Sequence, residues 1–136
     1  MNCPKCGTEG IKVFAETVFN LLKDEEKERF QDGLYFACTN PSCPVAYFGE
    51  KTFEVDLIKT TLWYKDEGDA VYLCYCKKVS RGEIKKAFRQ VGPDLKAILA
   101  LTGACGGGKC RTENPLGRCC HSVIEQYVEE LKKTLA

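Results

Sequence analysis

The chain has one histidine, one methionine and one tryptophan in 136 residues. A single histidine excludes a Rieske centre, which needs two on one iron. No apolar run approaches the length of a membrane span. The opening residues, Met1-Asn2-Cys3-Pro4-Lys5-Cys6, carry no apolar signal core. The expectation is a cytoplasmic chain whose thiols stay reduced. No paired acid and base or substrate pocket is legible, so the reading is not of an enzyme.

Cysteine, in contrast, is abundant, with ten in the chain. In a reduced compartment that number points to metal rather than disulfides. Many thiols with almost no histidine favour an iron–sulfur cluster for part of the set. Charge is also uneven. Residues 1–73 hold 8 Lys/Arg against 13 Asp/Glu, and residues 74–120 hold 10 against 3. Basic surroundings offset the charge of an anionic thiolate-bound cluster. The basic stretch lacks interleaved aromatics, which argues against nucleic acid as its partner.

Cys3-Pro4-Lys5-Cys6-Gly7 has the form of a zinc knuckle, with glycine permitting the tight turn. One knuckle is half a site. Cys38-Thr39-Asn40-Pro41-Ser42-Cys43 supplies the other half, with turn residues between its ligands. Cys3, Cys6, Cys38 and Cys43 make a four-thiolate set suited to tetrahedral zinc. Met1-x-Cys3-x-x-Cys6 also matches the copper-binding loop of small copper chaperones. The strand expected at Ile11–Phe19 is not how that fold continues, so the match reads as accidental. Leu34–Ala37, Val45–Phe48 and Thr52–Ile58 read as further short strands, and Lys23–Arg29 as an exposed helix or loop. This is a small β-rich, zinc-ribbon-like unit over residues 1–66, whose folding energy comes partly from the metal.

Beyond a polar linker at Tyr64–Asp69, residues 67–136 read as a helical unit. Cys74-Tyr75-Cys76 comes first. Ser80 and Glu83 form a capping-box pattern ahead of the stripe Ile84, Ala87, Phe88 and Val91. Gly92-Pro93 ends that helix and Asp94 starts the next. Leu95, Ile98, Leu99 and Leu101 form its apolar face, and Gly103 caps it. Cys105-Gly106-Gly107-Gly108-Lys109-Cys110 follows, a loop able to fold closely round a bulky ligand. The last helix carries Val123, Ile124, Tyr127, Val128, Leu131 and Leu135. At about 100° per residue, Cys120 lies within about 20° of the centre of that stripe and Cys119 about 120° away. Cys120 therefore faces inward at a helix N-terminus, and its dipole favours a thiolate there. The one histidine, His121, falls on the surface of the first turn.

Cys74-x-Cys76, two helices, a glycine-rich cysteine loop and a cysteine opening the final helix resemble the [2Fe-2S] domain of bacterioferritin-associated ferredoxins (BFD-like). With the two knuckles, Thr102-Gly103-Ala104, Asn114-Pro115 and Gly117-Arg118-Cys119-Cys120-His121, nearly the whole chain resembles the amino-terminal half of archaeal copper chaperones of the CopZ family. The resemblance implies an α+β fold, a β-rich zinc unit followed by a helical cluster unit. It implies zinc on Cys3, Cys6, Cys38 and Cys43, and a [2Fe-2S] cluster on Cys74, Cys76, Cys110 and Cys120. Of the two spacings from Cys76, 33 residues to Cys110 and 28 to Cys105, the family favours the longer. Cys105 and Cys119 then stand outside the set, as substitute ligands, a copper-binding pair or uninvolved thiols. The family's separate copper-binding domain, with its own Met-x-Cys-x-x-Cys loop, is not part of these 136 residues.

The implied function is one-electron transfer, with reduction of copper(II) to copper(I) as part of copper chaperoning. The partner would be a redox or metal-trafficking protein, such as a copper-binding domain or a copper transporter. Two other readings are a zinc-stabilised interaction or sensor module, and a protein that delivers a cluster or metal.

Overall fold

Short strands dominate the first half of the chain and helices the second. The computed structural model describes residues 1–135. Strands β1 (Ile11–Val13), β2 (Tyr35–Ala37), β3 (Val45–Gly49) and β4 (Phe53–Glu54) form one antiparallel sheet in sequence order. Val45 to Phe48 of β3 are all buried, because both faces of that strand are covered. Ala46 and Tyr47 enter the main core, while Val45 and Phe48 pack with Cys3, Cys38 and Cys43. A register shift between Val45 and Tyr47 re-aims the strand to serve both. Lys23–Arg29 is, as read, an exposed segment, a 3-10 helix over Asp24–Arg29.

Two expected strands are shorter than the pattern suggested. Ile11–Phe19 is a strand only to Val13, and helix α1 (Ala15–Leu21) begins after Phe14. Thr17, Val18 and Leu21 are its buried residues, a helical spacing. A three-residue alternation is too short to reveal the switch. Thr52–Ile58 pairs only at Phe53–Glu54 and then enters a 3-10 turn, Val55–Leu57. Val55 is exposed there, and its N–H bonds Pro44 O rather than a ladder partner.

The second half begins with a hairpin that the sequence pattern did not disclose. Strands β5 (Tyr72–Cys74) and β6 (Val79–Ser80) pair, with Cys76 in the turn between them. The Ser80 Oγ accepts from Glu83 N at 3.2 Å, and Ser80 N donates to Glu83 Oε1 at 3.3 Å, so the capping box is formed. It starts α2 (Arg81–Val91), which buries Ile84, Ala87 and Phe88; Val91 is exposed at its end. Asp94 caps α3 (Leu95–Thr102), and Gly103 closes it in the left-handed conformation. Ile98 is its buried residue, whereas Leu101 is 52% exposed rather than part of the apolar face. A four-residue helix, α4 (Cys110–Glu113), precedes α5 (His121–Leu135), which buries Ile124, Val128 and Leu131. Among the described residues no helix is long and apolar enough to cross a membrane.

The main cores meet. Leu116, far along the chain, lies in the core of the sheet, and Trp63 packs against both. Helix α1 grips α4. Thr17 Oγ1 donates to Arg111 O, and Asn20 Nδ2 donates to Thr112 O at 2.7 Å. The Arg111 guanidinium sits 3.9 Å above the Phe14 ring and pairs with Glu16. Gly117 packs where a Cβ would meet Phe14 Cδ2 and Thr17 Oγ1 at 2.9 Å. The Tyr47 hydroxyl donates to Pro115 O at 2.5 Å in a buried setting. Helix α1 and strand β3 together therefore hold the segment between Cys110 and Cys120.

Tyr47→Phe leaves the Pro115 carbonyl unpaired in that seam. The expected cost is about 1–3 kcal/mol, read as a lower denaturant midpoint with an unchanged slope.

Candidate metal centres

The first knuckle is a tight turn: Gly7 N donates to Cys3 O at 2.9 Å, and Gly7 has φ 78°. In the second, Cys43 N donates to Asn40 O at 3.1 Å, and the Asn40 side chain accepts from Ser42 N at 3.0 Å. The antiparallel sheet carries both turns to one place. The sulfurs of Cys3, Cys6, Cys38 and Cys43 all lie within 4.8 Å of one another. Cys3 Sγ is 3.9 Å from Cys43 Sγ, and Cys6 Sγ is 3.6 Å from Cys38 Sγ. A zinc–sulfur bond of about 2.3 Å gives a tetrahedron with an edge of about 3.8 Å. The four thiols fit a single zinc ion.

Their protons are held unequally. Hydrogen bonding by the Thr8 hydroxyl, 3.2 Å from Cys6 Sγ, and by the Thr8 backbone pulls the exposed Cys6 thiol down to about 5. Burial pushes Cys38 up to about 12 and also raises Cys43. A metal therefore meets one ready thiolate and displaces protons from the buried partners.

Lys65, read only as linker in the sequence, lies over this site. Its Nζ is 3.6 Å from Cys38 Sγ and donates to Asn40 O at 2.6 Å and Cys43 O at 2.9 Å. One ammonium thus pins the second knuckle and offsets thiolate charge. Nothing in the local sequence marks Lys65, because its partners lie more than 20 residues away.

The other six cysteines converge around the glycine loop. Cys74 ends β5, Cys76 lies in the hairpin turn, Cys110 opens α4, and Cys120 immediately precedes α5. Cys76 Sγ is 3.5 Å from Cys110 Sγ. The Cys74 sulfur accepts the Cys105 backbone N–H at 3.4 Å, and the neighbouring Cys120 thiol and the Lys77 and Cys76 backbone also favour its thiolate. These interactions, the Cys120 bond foremost, outweigh burial and lower Cys74 to about 5. Cys120 is raised in return, by the Cys74 bond first and then by burial. Cys110 rises to about 12 through burial and its neighbour Cys76.

As the wheel implies, Cys120 is 1% exposed while Cys119 is exposed. His121 is exposed too. Cys105, set apart from the ligand set by spacing, lies 3.1 Å from Cys120 Sγ. Gly107 passes so close to Cys76 that a Cβ would fall 2.4 Å from the Cys76 Cβ. This region offers thiol donors, a Cys105 N–H aimed at the Cys74 sulfur and a close backbone cradle. That donor set suits an iron–sulfur centre.

In the reduced, metal-free chain, Cys6 is expected to alkylate first. Its low value means the thiolate is lost only as pH falls through about 5, so its rate is flat near neutrality. Cys38 stays protonated until about 12 and reacts slowly throughout. Iodoacetamide labelling with peptide mapping across pH reads both. Equal rates at the two positions would refute this ordering.

Comparison with known proteins agrees with the geometry of the first site. Residues 1–59 match the family described as a zinc binding domain. The chain is 36% identical over 127 residues to the copper chaperone CopZ of Archaeoglobus fulgidus, a match covering 93% of this chain. It spans 61% of that relative's length. The X-ray structure of the Archaeoglobus fulgidus CopZ N-terminal domain superposes with a TM-score of 0.81 at 35% identity. That match covers 93% of this chain and 96% of the other. The amino-terminal sheet is a zinc-binding domain, and the chain as a whole belongs to the family of the CopZ amino-terminal domain.

Proposed function

We propose that this chain is a two-centre redox protein: zinc on Cys3, Cys6, Cys38 and Cys43, and a [2Fe-2S] cluster on Cys74, Cys76, Cys110 and Cys120. The observation that carries the reading is the contrast between the two thiol groups. The first is gathered at the edge length of one tetrahedral ion. The second is spread over a hairpin, a glycine loop and two helix starts. A wider donor set suits a centre of two metals with bridging sulfide.

When bound, the cluster supplies one-electron chemistry. The chain's own contribution is specific. Cys74 and Cys110 carry unlike proton affinities before loading. The Cys105 N–H points at Cys74 Sγ at 3.4 Å and stabilises negative charge on that sulfur. Gly107 lets the loop close on Cys76 and restrict water. Exposed Lys77, Lys78, Lys109 and Arg118 surround the site with positive charge. Cation-rich surroundings favour the reduced, more negative state.

The substrate of the transfer is copper(II), reduced by one electron to copper(I) before hand-over to a metal-trafficking partner, a copper-binding domain or a copper transporter. The Archaeoglobus relative is named a copper chaperone, which supports copper as the metal handled. Thiol-rich chemistry of this kind belongs to a reducing compartment such as the cytoplasm.

Protein purified and reconstituted without oxygen is expected to hold about one zinc, two irons and two sulfides per chain. Its visible bands are expected to bleach on reduction and return rapidly with copper(II), relative to cluster-free protein. No acceleration over that control would remove copper(II) as substrate. Zinc without iron or colour after reconstitution would instead leave a zinc-stabilised interaction module. Gly107→Ala is expected to keep its zinc while losing about tenfold in iron affinity, because the added methyl collides with Cys76. Equal iron retention in a chelator challenge would count against the cradle.

A further inference from the structure

Cys105 has an environment that an uninvolved thiol does not require. It lies two residues after the left-handed Gly103 and just before three glycines, yet it takes a left-handed conformation itself, with φ 66°. Glycine is the residue that adopts this backbone without steric cost. The conformation aims both ends of Cys105 at the second thiol group. Its N–H points at Cys74 Sγ at 3.4 Å, and its own sulfur lies 3.1 Å from Cys120 Sγ. That separation is shorter than the 3.5 Å between Cys76 and Cys110. Cys105, Cys119 and Cys120 also form a group whose sulfurs lie within 4.8 Å of one another. Of the two outside the set, Cys119 is exposed and Cys105 is half-buried among the residues packed on the second core.

We infer that Cys105 is a reserve ligand of the cluster, able to take the iron position of Cys120 through the short separation of their sulfurs. The inference rests on the cluster reading above. Glycines 106–108 follow Cys105 directly, so the loop can absorb a small shift of the sulfur. Cys120 is fixed by the start of α5, where Ile124 N donates to Cys120 O at 3.0 Å. The movable thiol therefore belongs to the loop, not the helix. In the exchange, the iron–sulfur bond to Cys120 breaks and one to Cys105 forms. Cys105 releases a proton and Cys120 takes one up; no electron moves. A centre with a reserve thiol keeps its iron through transient loss of one ligand.

The test uses the full chain, reconstituted with iron and sulfide without oxygen, with zinc content and circular dichroism confirming the fold. Cys120→Ala is expected to keep most of the parent's iron with shifted visible bands. Cys105→Ala/Cys120→Ala is expected to lose it, and Cys119→Ala/Cys120→Ala to behave like Cys120→Ala. Iodoacetamide is expected to modify Cys105 in the loaded parent but not in loaded Cys120→Ala. In the otherwise intact chain, Cys105→Ala is expected to yield its iron to a chelator about tenfold faster than the parent. That last comparison does not depend on Cys120→Ala folding. The inference is overturned if Cys105→Ala releases iron at the parent's rate, if Cys120→Ala is as empty as the Cys105/Cys120 double variant, or if removing Cys119 is what abolishes the rescue. A parent chain that takes up no iron and sulfide would overturn the cluster reading itself, a separate result.

Discussion

The sulfurs of the two knuckles sit at the ends of chain segments with few other anchors. The Asn2–Glu9 bridge and the turn hydrogen bonds of residues 1–10 stay within that segment, which meets the rest of the chain through Cys3–Cys43, Cys6–Cys38 and the exposed Lys5–Glu54 pair. The sheet they join has strands of three, three, five and two residues. Apolar burial in so small a sheet leaves little surplus over chain entropy. Gathering Cys3, Cys6, Cys38 and Cys43 at one tetrahedral edge length supplies the missing constraint, since metal-binding energy becomes folding energy. Phe48 and Val45 close the apolar side of that site and Lys65 its polar side. The segment between Cys110 and Cys120 takes its position from this anchored unit.

The inheritance is mechanical. The amino-terminal unit does not end where the helical unit begins; helix α1 and strand β3 reach across and hold the segment bounded by two of the proposed cluster ligands. Thr17, Asn20 and Tyr47 bond carbonyls of residues 111, 112 and 115. These carbonyls lie between Cys110 and Cys120, in a region where α4 is too short to define its own geometry. Removing the amino-terminal unit would leave that segment without its hydrogen-bond partners. The zinc site and the second thiol group are thus linked through packed backbone rather than a shared ligand.

Each thiol group also sets one lowered thiol beside others that are raised. Cys6 and Cys74 are both lowered to about 5, while Cys38 and Cys110 are both raised to about 12. The causes differ. Cys6 is exposed beside the Thr8 hydroxyl, and Cys74 draws on the Cys120 thiol and backbone N–H groups. At the zinc site the exposed Cys6 offers an anionic first contact for an arriving cation, and binding then displaces protons from the buried Cys38 and Cys43. The acidic first half and basic second half of the chain place these sites in opposite fields.

Local chemistry was legible in the sequence wherever spacing alone decides geometry. The knuckle spacings, the Ser80–Glu83 box, the Asp94 and Gly103 caps and the inward face of Cys120 all follow from turn and helix periodicity. The α+β class was legible for the same reason. The β5–β6 hairpin was not, because strands of three and two residues carry no readable alternation. Nor was α1, hidden behind a single short strand. The sequence by itself determined which thiols form each knuckle and which face of α5 turns inward, since these depend on neighbours within a few residues. Only the tertiary structure decided that Lys65 caps the zinc site, that α1 holds α4, and that Cys105 rests on Cys120. Those contacts join residues 15 to more than 90 positions apart, and no periodicity in a chain encodes which distant surfaces meet.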